Sequence, residues 1–382
     1  MGRMIAREAA RGAAAPGEGL PGERATDASA GTIRRLVVRL AWPSIVENML
    51  HSVFGIVLLL FVARLGPAAV AGFGAANGLT MVAMSGFFSL SMGATVLVAH
   101  ATGARAPDAA SLAAKQALIL GVVVGLASTI VGVVFAPQLV ASLGAGPDVV
   151  REGAAFLRAF SLGGVFLVVT FIAGGVLRGA GDARTPMLVT LGTLALSLLL
   201  AYPLTFGGLG LPALGLAGAG LGSTIARGLG CVVLVALLAR PAGAVSIDGR
   251  AGWRPAAGPL RRLAGIGLPS MVESLLRSGG MLLFTVIVFQ LGTAVVAAQQ
   301  IAQQAAFLSL MPGFAFSMAA TALVGQSLGA RDPARADRAS WFATRACLAW
   351  MGAMGVVFVV GGHWIMRAFT ADAAIIAHGV AG

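Results

Sequence analysis

Two carboxylates lie inside long runs of apolar residues. Of the fourteen acidic residues, only Glu47 and Glu273 do so, and each is followed four residues later by a second ionisable side chain, His51 or Arg277. A carboxylate in hydrocarbon is costly unless it is paired, hydrated or protonated. Such a group could exchange a proton, with assistance from His51, or attract a cation. These residues therefore form a candidate pathway for a substrate or an ion.

A structural explanation of the same residues stays open. Side chains four apart are neighbours on a helix, so Glu47 could pair with His51, and Glu273 with Arg277. Glu47 also lies only about seven residues into its apolar run, a depth of about 10 Å along a helix. Arg277, in turn, would repel a cation.

Four glutamines form a second polar group. Gln299, Gln300, Gln303 and Gln304 place amides on one side of a predicted helix. We interpret Gln299, Gln300 and Gln303 as candidates to line a pathway, although amides also bond between membrane helices.

Motifs for other chemistries are missing from the sequence. It contains no Gly-Lys-Ser/Thr phosphate loop, no Gly-x-Ser-x-Gly elbow and no His/Cys cluster, and Cys231 and Cys347 lie in separate apolar runs. We therefore predict no metal, no cofactor and no ATP-driven pump. A membrane enzyme using Glu47 and His51 is disfavoured because no further polar cluster accompanies them.

Composition predicts an all-α polytopic membrane protein. Hydrophobic residues make up 58% of the 382 residues and charged residues 10%, against about 25% in soluble domains. Apolar runs of about 20 residues match the ~30 Å hydrocarbon layer. We predict nine spans, with a tenth beginning near residue 373: 40–63, 76–99, 116–137, 154–177, 187–206, 216–239, 264–289, 303–324 and 342–366.

The basic residues predict an orientation. With a cytoplasmic N-terminus, 20 of the 26 Lys and Arg residues fall on the inside and 4 on the outside. Because they sit between apolar runs, the net charge of +12 indicates topology and not nucleic-acid binding. Residues 1–32 have no apolar core, so we expect a disordered cytoplasmic tail and no signal peptide.

An internal repeat relates residues 226 positions apart. Pro43-Ser44-x-Val46-Glu47 recurs as Pro269-Ser270-x-Val272-Glu273, and Gly103-Ala104-Arg105-x-Pro107 recurs as Gly329-Ala330-Arg331-x-Pro333. Six predicted spans separate the copies, so the copies share one orientation and are related by an axis along the membrane normal.

The repeat divides the chain. We predict an N-terminal six-helix lobe at 33–239, a basic cytoplasmic linker at 240–259 and a partial second lobe at 260–382. Residue 382 corresponds to residue 156 of the first copy, so about two and a half spans of the second have no counterpart. We therefore expect a C-terminally truncated chain with 9–10 of 12 helices.

Several stretches resemble the multidrug and toxin extrusion (MATE) family. They are Leu40-Ala41-Trp42-Pro43 through Arg64-Leu65-Gly66, Arg178-Gly179-Ala180-Gly181-Asp182-Ala183-Arg184-Thr185-Pro186-Met187, Leu216-Ala217-Gly218-Ala219-Gly220 and Ala297-Ala298-Gln299-Gln300. The resemblance implies a two-lobed, twelve-helix antiporter. It would expel drug-like molecules across the bacterial inner membrane, driven by protons or sodium. We expect a monomer whose partners are small-molecule substrates and membrane lipids.

The sequence departs from that family at its usual coupling acids. Those positions fall on Leu58, Ser197, Ala201 and Arg277. This leaves open the coupling ion, and also an alternative function, a flippase for lipid-linked saccharides of the same superfamily, since Arg277 would suit an anionic headgroup.

Overall fold

The computed structural model describes residues 30–207, 212–240, 245–249, 252–289 and 293–369, without the side chains of 30, 275, 281–283, 285–308 and those from 362 onward. Every regular element in this part of the chain is a helix. In chain order they are α1 Ala30–Ala63, α2 Pro67–Gly103, α3 Pro107–Val134, α4 Ala136–Ala141, α5 Pro147–Ser161, α6 Gly164–Gly179, α7 Arg184–Phe206, α8 Leu216–Leu238, α9 Ala257–Phe289, α10 Thr293–Gly329 and α11 Pro333–Phe369.

The predicted all-α membrane fold is confirmed. In the described part of the chain, α1, α2, α3, α7, α8 and α11 are long and apolar enough to cross a membrane, and the bent pair α5–α6 makes a seventh candidate span. Helices α9 and α10 coincide with the predicted spans 264–289 and 303–324. The tenth predicted span, from residue 373, lies outside the described residues.

The predicted continuous span 154–177 is wrong in one respect, because the helix breaks between α5 and α6 with a bend of 52°. Two glycines, Gly163 and Gly164, lie at the break. Thr224 of α8 donates from Oγ1 to the carbonyl oxygens of Ala159, at 2.8 Å, and Phe160, at 3.3 Å. A hydroxyl from a neighbouring helix thus satisfies backbone acceptors at the break, as a bend in a membrane requires.

The repeat in sequence is also a repeat in structure. Helices α2 and α10 begin and end at residues one repeat apart. Both end in a turn with a non-glycine residue in the left-handed region, Arg105 at φ 53° and Arg331 at φ 58°. The identical residues Gly103-Ala104-Arg105 and Gly329-Ala330-Arg331 therefore end the two helices in the same way.

A connection docked on the first lobe joins the two copies. Gln116, fully buried in α3, donates from Nε2 to the carbonyls of Gly252 and Arg254, both at 2.8 Å, and accepts from the backbone N–H of Ala256 at 2.9 Å. Next to it, Lys115 Nζ donates to the carbonyl of Asp248 at 2.7 Å.

The two copies meet along a seam at the end of the molecule that holds the start of α1. Ile33, Val37, Leu40 and Ala41 of α1 share one buried cluster with residues of α10 and α11. On the pseudo-symmetry axis α2 crosses α10 so closely that a methyl group added to Gly103 would overlap the carbonyl of Gln326. One added to Gly329 would overlap the carbonyl of His100 in the same way. Positions 100 and 326, like 103 and 329, are repeat equivalents, so the crossing is symmetric.

The seam covers only half of α2. Ser89 is buried and shares a 3.2 Å hydrogen bond between hydroxyl oxygens with Ser274 of α9. Earlier in α2, Gly74, Asn77, Gly78 and Met81 are exposed. Within the described residues, the lobes therefore contact each other at one end of α2 and leave its other end uncovered.

Candidate functional site

The sequence-predicted Glu47 lies in a polar cluster inside the first lobe. Its Oε2 accepts from Arg178 Nη1 at 3.0 Å, and its Oε1 accepts from Thr190 Oγ1 at 3.1 Å. Both members of the ion pair are largely buried, with the Glu47 side chain 17% and the Arg178 side chain 9% exposed. The pair therefore joins α1 to the end of α6, and Thr190 adds α7.

The local pairing of Glu47 with His51 is not what the structure shows. The carboxylate is turned to Arg178, and His51 is exposed one helical turn further along α1, towards the uncovered half of the molecule. Arg178 is the better partner because a guanidinium is permanently charged and presents several donors in a fixed plane.

Two donors of this region are buried without an acceptor in the described part of the chain. They are Nε of Arg178 and Nη1 of Arg227, a residue of α8. The guanidinium carbon of Arg227 lies 4.3 Å from the ring centroid of Phe160, a cation–π contact. Arg178 of the Glu47 cluster and Arg227 on α8 thus each retain a guanidinium donor that is available for an acceptor.

The equivalent residues of the second lobe have different surroundings. Glu273 and Arg277 are both exposed, and neither forms an ion pair with any residue that the structure describes. Helix α9 continues through this region, so both side chains project from a helix as predicted. The predicted contact between them is absent from the described residues.

The backbone of the predicted glutamines lies in α10. The side chains of Gln299, Gln300 and Gln303 are outside the described residues, so their place in a pathway stays a prediction.

Three of the four positions of the missing family acids are occupied by buried packing residues, and the fourth is the exposed Arg277. Leu58 is 3% exposed in the apolar core of the first lobe. Ser197 donates to Ser223 Oγ of α8 at 3.0 Å, and a methyl group on Gly222 would lie 2.7 Å from the backbone nitrogen of Ala201. These positions bring α7 and α8 close together and hold no carboxylate.

Sequence reasoning missed Arg178 and Thr190 as members of the site. Arg178 is one of the 20 basic residues that the charge pattern assigns to the inside, and its partner lies 131 residues earlier in the chain. A signal was available, because Arg178 follows the apolar run 164–177 without an intervening charged residue and opens the Arg-Gly-x-Gly-Asp motif.

Comparison with known proteins gives a consistent family. The MatE family profile matches residues 43–203 and 269–381. A probable multidrug resistance protein NorM of Thermotoga maritima is 28% identical over 352 residues, covering 90% of this chain and 74% of that protein. A protein of the same description from Rhodopseudomonas palustris is 31% identical over 338 residues, covering 87% and 70%.

Solved structures share the fold. A multidrug resistance MATE family transporter of the MOP superfamily, in an outward-facing conformation, superposes with a TM-score of 0.83 at 22% identity, covering 94% of this chain and 80% of that one. A MOP superfamily transporter from Pyrococcus furiosus, for which a binding pocket of reverse polarity suggests a different function, gives 0.82 at 22% identity with the same coverage. Profile, relatives and fold agree, and the chain belongs to the MatE family of multidrug efflux transporters.

Proposed function

We propose that this protein exports drug-like small molecules across the bacterial inner membrane by alternating access, as an antiporter driven by a proton or sodium gradient. Its N-terminus lies in the cytoplasm, in agreement with the excess of basic residues on that side. The exported compound binds in the cleft between the two lobes. The NorM descriptions of the relatives favour a multidrug substrate over a lipid-linked saccharide.

One observation carries this proposal: the lobes are closed at one end of α2 and apart at the other. Gly103 and Gly329 allow backbone contact at the closed end, whereas a methyl group added to Gly74 or Gly78 would have no described atom within 4 Å. A cleft that opens to one side of the membrane is one of the two states that alternating access requires. Because the two halves of the seam are equivalent, a rocking movement of the two lobes about the seam could close this cleft and open one to the opposite side of the membrane.

The ion pair of Glu47 and Arg178 is the proposed coupling element. It links α1, which packs against the second lobe, to α6 and α7 within the first lobe. A proton or a sodium ion that reaches Glu47 competes with Arg178 for the carboxylate. Binding of the ion would thereby loosen a contact between helices, which is a local change that a two-state element can amplify.

Transport in vesicles tests the proposal. The protein is reconstituted into proteoliposomes and the efflux of a cationic dye is followed with a pH gradient alone, a sodium gradient alone or neither. We expect one gradient to accelerate dye movement and Glu47→Gln to abolish that acceleration. If the rate of dye efflux by the unmodified protein is the same with either gradient as with neither, antiport is contradicted.

A double variant separates coupling from stability. Glu47→Gln leaves Arg178 buried without its charged partner, which is itself destabilising, whereas Glu47→Gln/Arg178→Gln leaves no unpaired charge. We expect the double variant to fold and still lack gradient-driven transport. Full gradient-driven transport in the double variant would assign the pair a structural role only.

A further inference from the structure

The start of α1 carries a basic groove on the side away from the lobe seam. The groove has a volume of about 590 Å³ and is open to the surface. Its lining combines Gly31, Arg34, Arg35, Val38, Arg39 and Trp42 of α1 with Arg184 of α7. Because these α1 residues recur every three or four positions, they form one stripe, opposite the buried stripe of Ile33, Val37 and Leu40.

The four arginines of the groove have no counter-ion in the part of the chain that the structure describes. All four are exposed, and none forms an ion pair there. Asp182, which lies two residues before Arg184, is engaged by other donors. Its Oδ1 accepts the backbone N–H groups of Arg184 and Thr185, each at 3.0 Å, and its Oδ2 accepts from Thr185 Oγ1 at 2.6 Å. The groove therefore presents concentrated positive charge.

Two exposed apolar residues of α1, Val38 and Trp42, also line the groove. Val38 is 46% and Trp42 is 42% exposed, and they lie about one and two helical turns further into α1 than Arg34 and Arg35. Tryptophan is typical of the boundary between headgroups and hydrocarbon, and arginine binds phosphate through paired donors. Three arginines at the start of α1, with Val38 among them and Trp42 beyond them, match a phosphate that carries acyl chains.

The second copy of the repeat lacks this combination. The positions equivalent to Arg34, Arg39 and Trp42 are Leu260, Gly265 and Leu268, and only Arg35 has a basic equivalent, Arg261. Both copies form the same long helix there, so the fold itself does not require an arginine and tryptophan stripe. The stripe is a specific property of α1.

We propose that this groove binds the headgroup of an anionic phospholipid from the leaflet on the N-terminal side of the membrane. The phosphate lies among Arg34, Arg35, Arg39 and Arg184, and an acyl chain passes over Val38 and Trp42. The lipid would lie on the face of α1 opposite to the one that packs against α10 and α11.

Quenching of tryptophan fluorescence tests the site. The full chain is reconstituted into vesicles that contain brominated phosphatidylglycerol or brominated phosphatidylcholine, and the signal of Trp42 is isolated by subtraction of a Trp42→Phe variant. We expect brominated phosphatidylglycerol to quench Trp42 more strongly than brominated phosphatidylcholine does, which indicates preferential binding of the anionic lipid. In Arg34→Gln/Arg39→Gln the preference should fall by about fivefold for each arginine removed.

The repeat supplies a matched control. Arg261 and Arg262 are exposed near the start of α9, at the corresponding level of the second copy. Arg261→Gln/Arg262→Gln removes the same charge and should leave the preference at Trp42 unchanged. An equal loss in this control, or no preference in the unmodified protein, would overturn the proposal. Displacement of the lipid by millimolar inorganic phosphate would also overturn it, since it would assign the groove to the free anion.

Discussion

The two lobes carry the same residues in different surroundings. In the first lobe Ser91 Oγ donates to the carbonyl of Phe171 at 2.7 Å, and Thr95 Oγ1 donates to that of Gly175 at 3.0 Å, so α2 is bonded to α6. In the second lobe the equivalent Ser317 is exposed, and Thr321 Oγ1 donates to a carbonyl of its own helix.

The carboxylates differ in the same way. Glu47 is held by Arg178 and Thr190, which α6 and α7 supply, while Glu273 is exposed and has no ion-pair partner among the described residues. A repeated sequence thus determines where helices begin and end, but burial and pairing depend on which other helices pack against each copy. The coupling site proposed above belongs to the first lobe for this reason.

The largest expected difference between the lobes is in the free energy of unfolding after removal of Arg178 or Arg277. Arg178→Ala leaves the largely buried Glu47 carboxylate without its charged partner, and loss of one member of a buried pair costs about 3–5 kcal/mol in the free energy of unfolding. Arg277→Ala removes an exposed side chain and should change it by less than about 0.5 kcal/mol. Denaturant titration in detergent micelles measures both, and equal effects would contradict the proposed difference between the lobes.

The seam is where the two copies should behave alike. A methyl group on Gly103 meets the backbone of Gln326, and one on Gly329 meets the backbone of His100. Because backbone atoms on both sides leave little room for adjustment, Gly103→Ala and Gly329→Ala should each lower the free energy of unfolding by about 1–3 kcal/mol. Gly78→Ala, with open space around it, is the control and should not destabilise. A clear difference between the two seam variants would show that the crossing is asymmetric.

The smallest expected effect concerns the repeated threonines. Thr95→Val removes a hydrogen bond between α2 and α6, and such bonds contribute about 0.6 kcal/mol on average in membrane proteins. Thr321→Val loses only a bond to its own helix and should leave the free energy of unfolding nearly unchanged. The same titration compares them. If Thr321→Val lowered the free energy of unfolding more than Thr95→Val, the first lobe would not be the one with the stronger hydrogen bonds between helices.

Much of the architecture could be predicted from residue patterns. Apolar runs indicated the spans, and the constant offset predicted that α2 and α10 are equivalent, an equivalence that extends to the left-handed Arg105 and Arg331. These features are local, because a run of apolar side chains or a turn motif acts through neighbouring residues. The break at Gly163 was not predicted, since it depends on the hydroxyl of Thr224 from α8.

The site was only partly predictable for a similar reason. Glu47 is conspicuous as an acid in an apolar run, but its partners Arg178 and Thr190 come from helices far along the chain. A helix period identifies neighbours four residues apart and gives no information about contacts across a bundle. That limit led to His51 as the candidate partner where the fold supplies a guanidinium.

The docked connection between the copies has a mechanical consequence. Gln116 binds the carbonyls of Gly252 and Arg254 and the amide of Ala256, directly before α9 begins at Ala257. The point from which the second copy starts is therefore anchored to the first copy. The first turn of α9 is thereby held close to α3, so the linker allows the second copy little displacement from the first at this point.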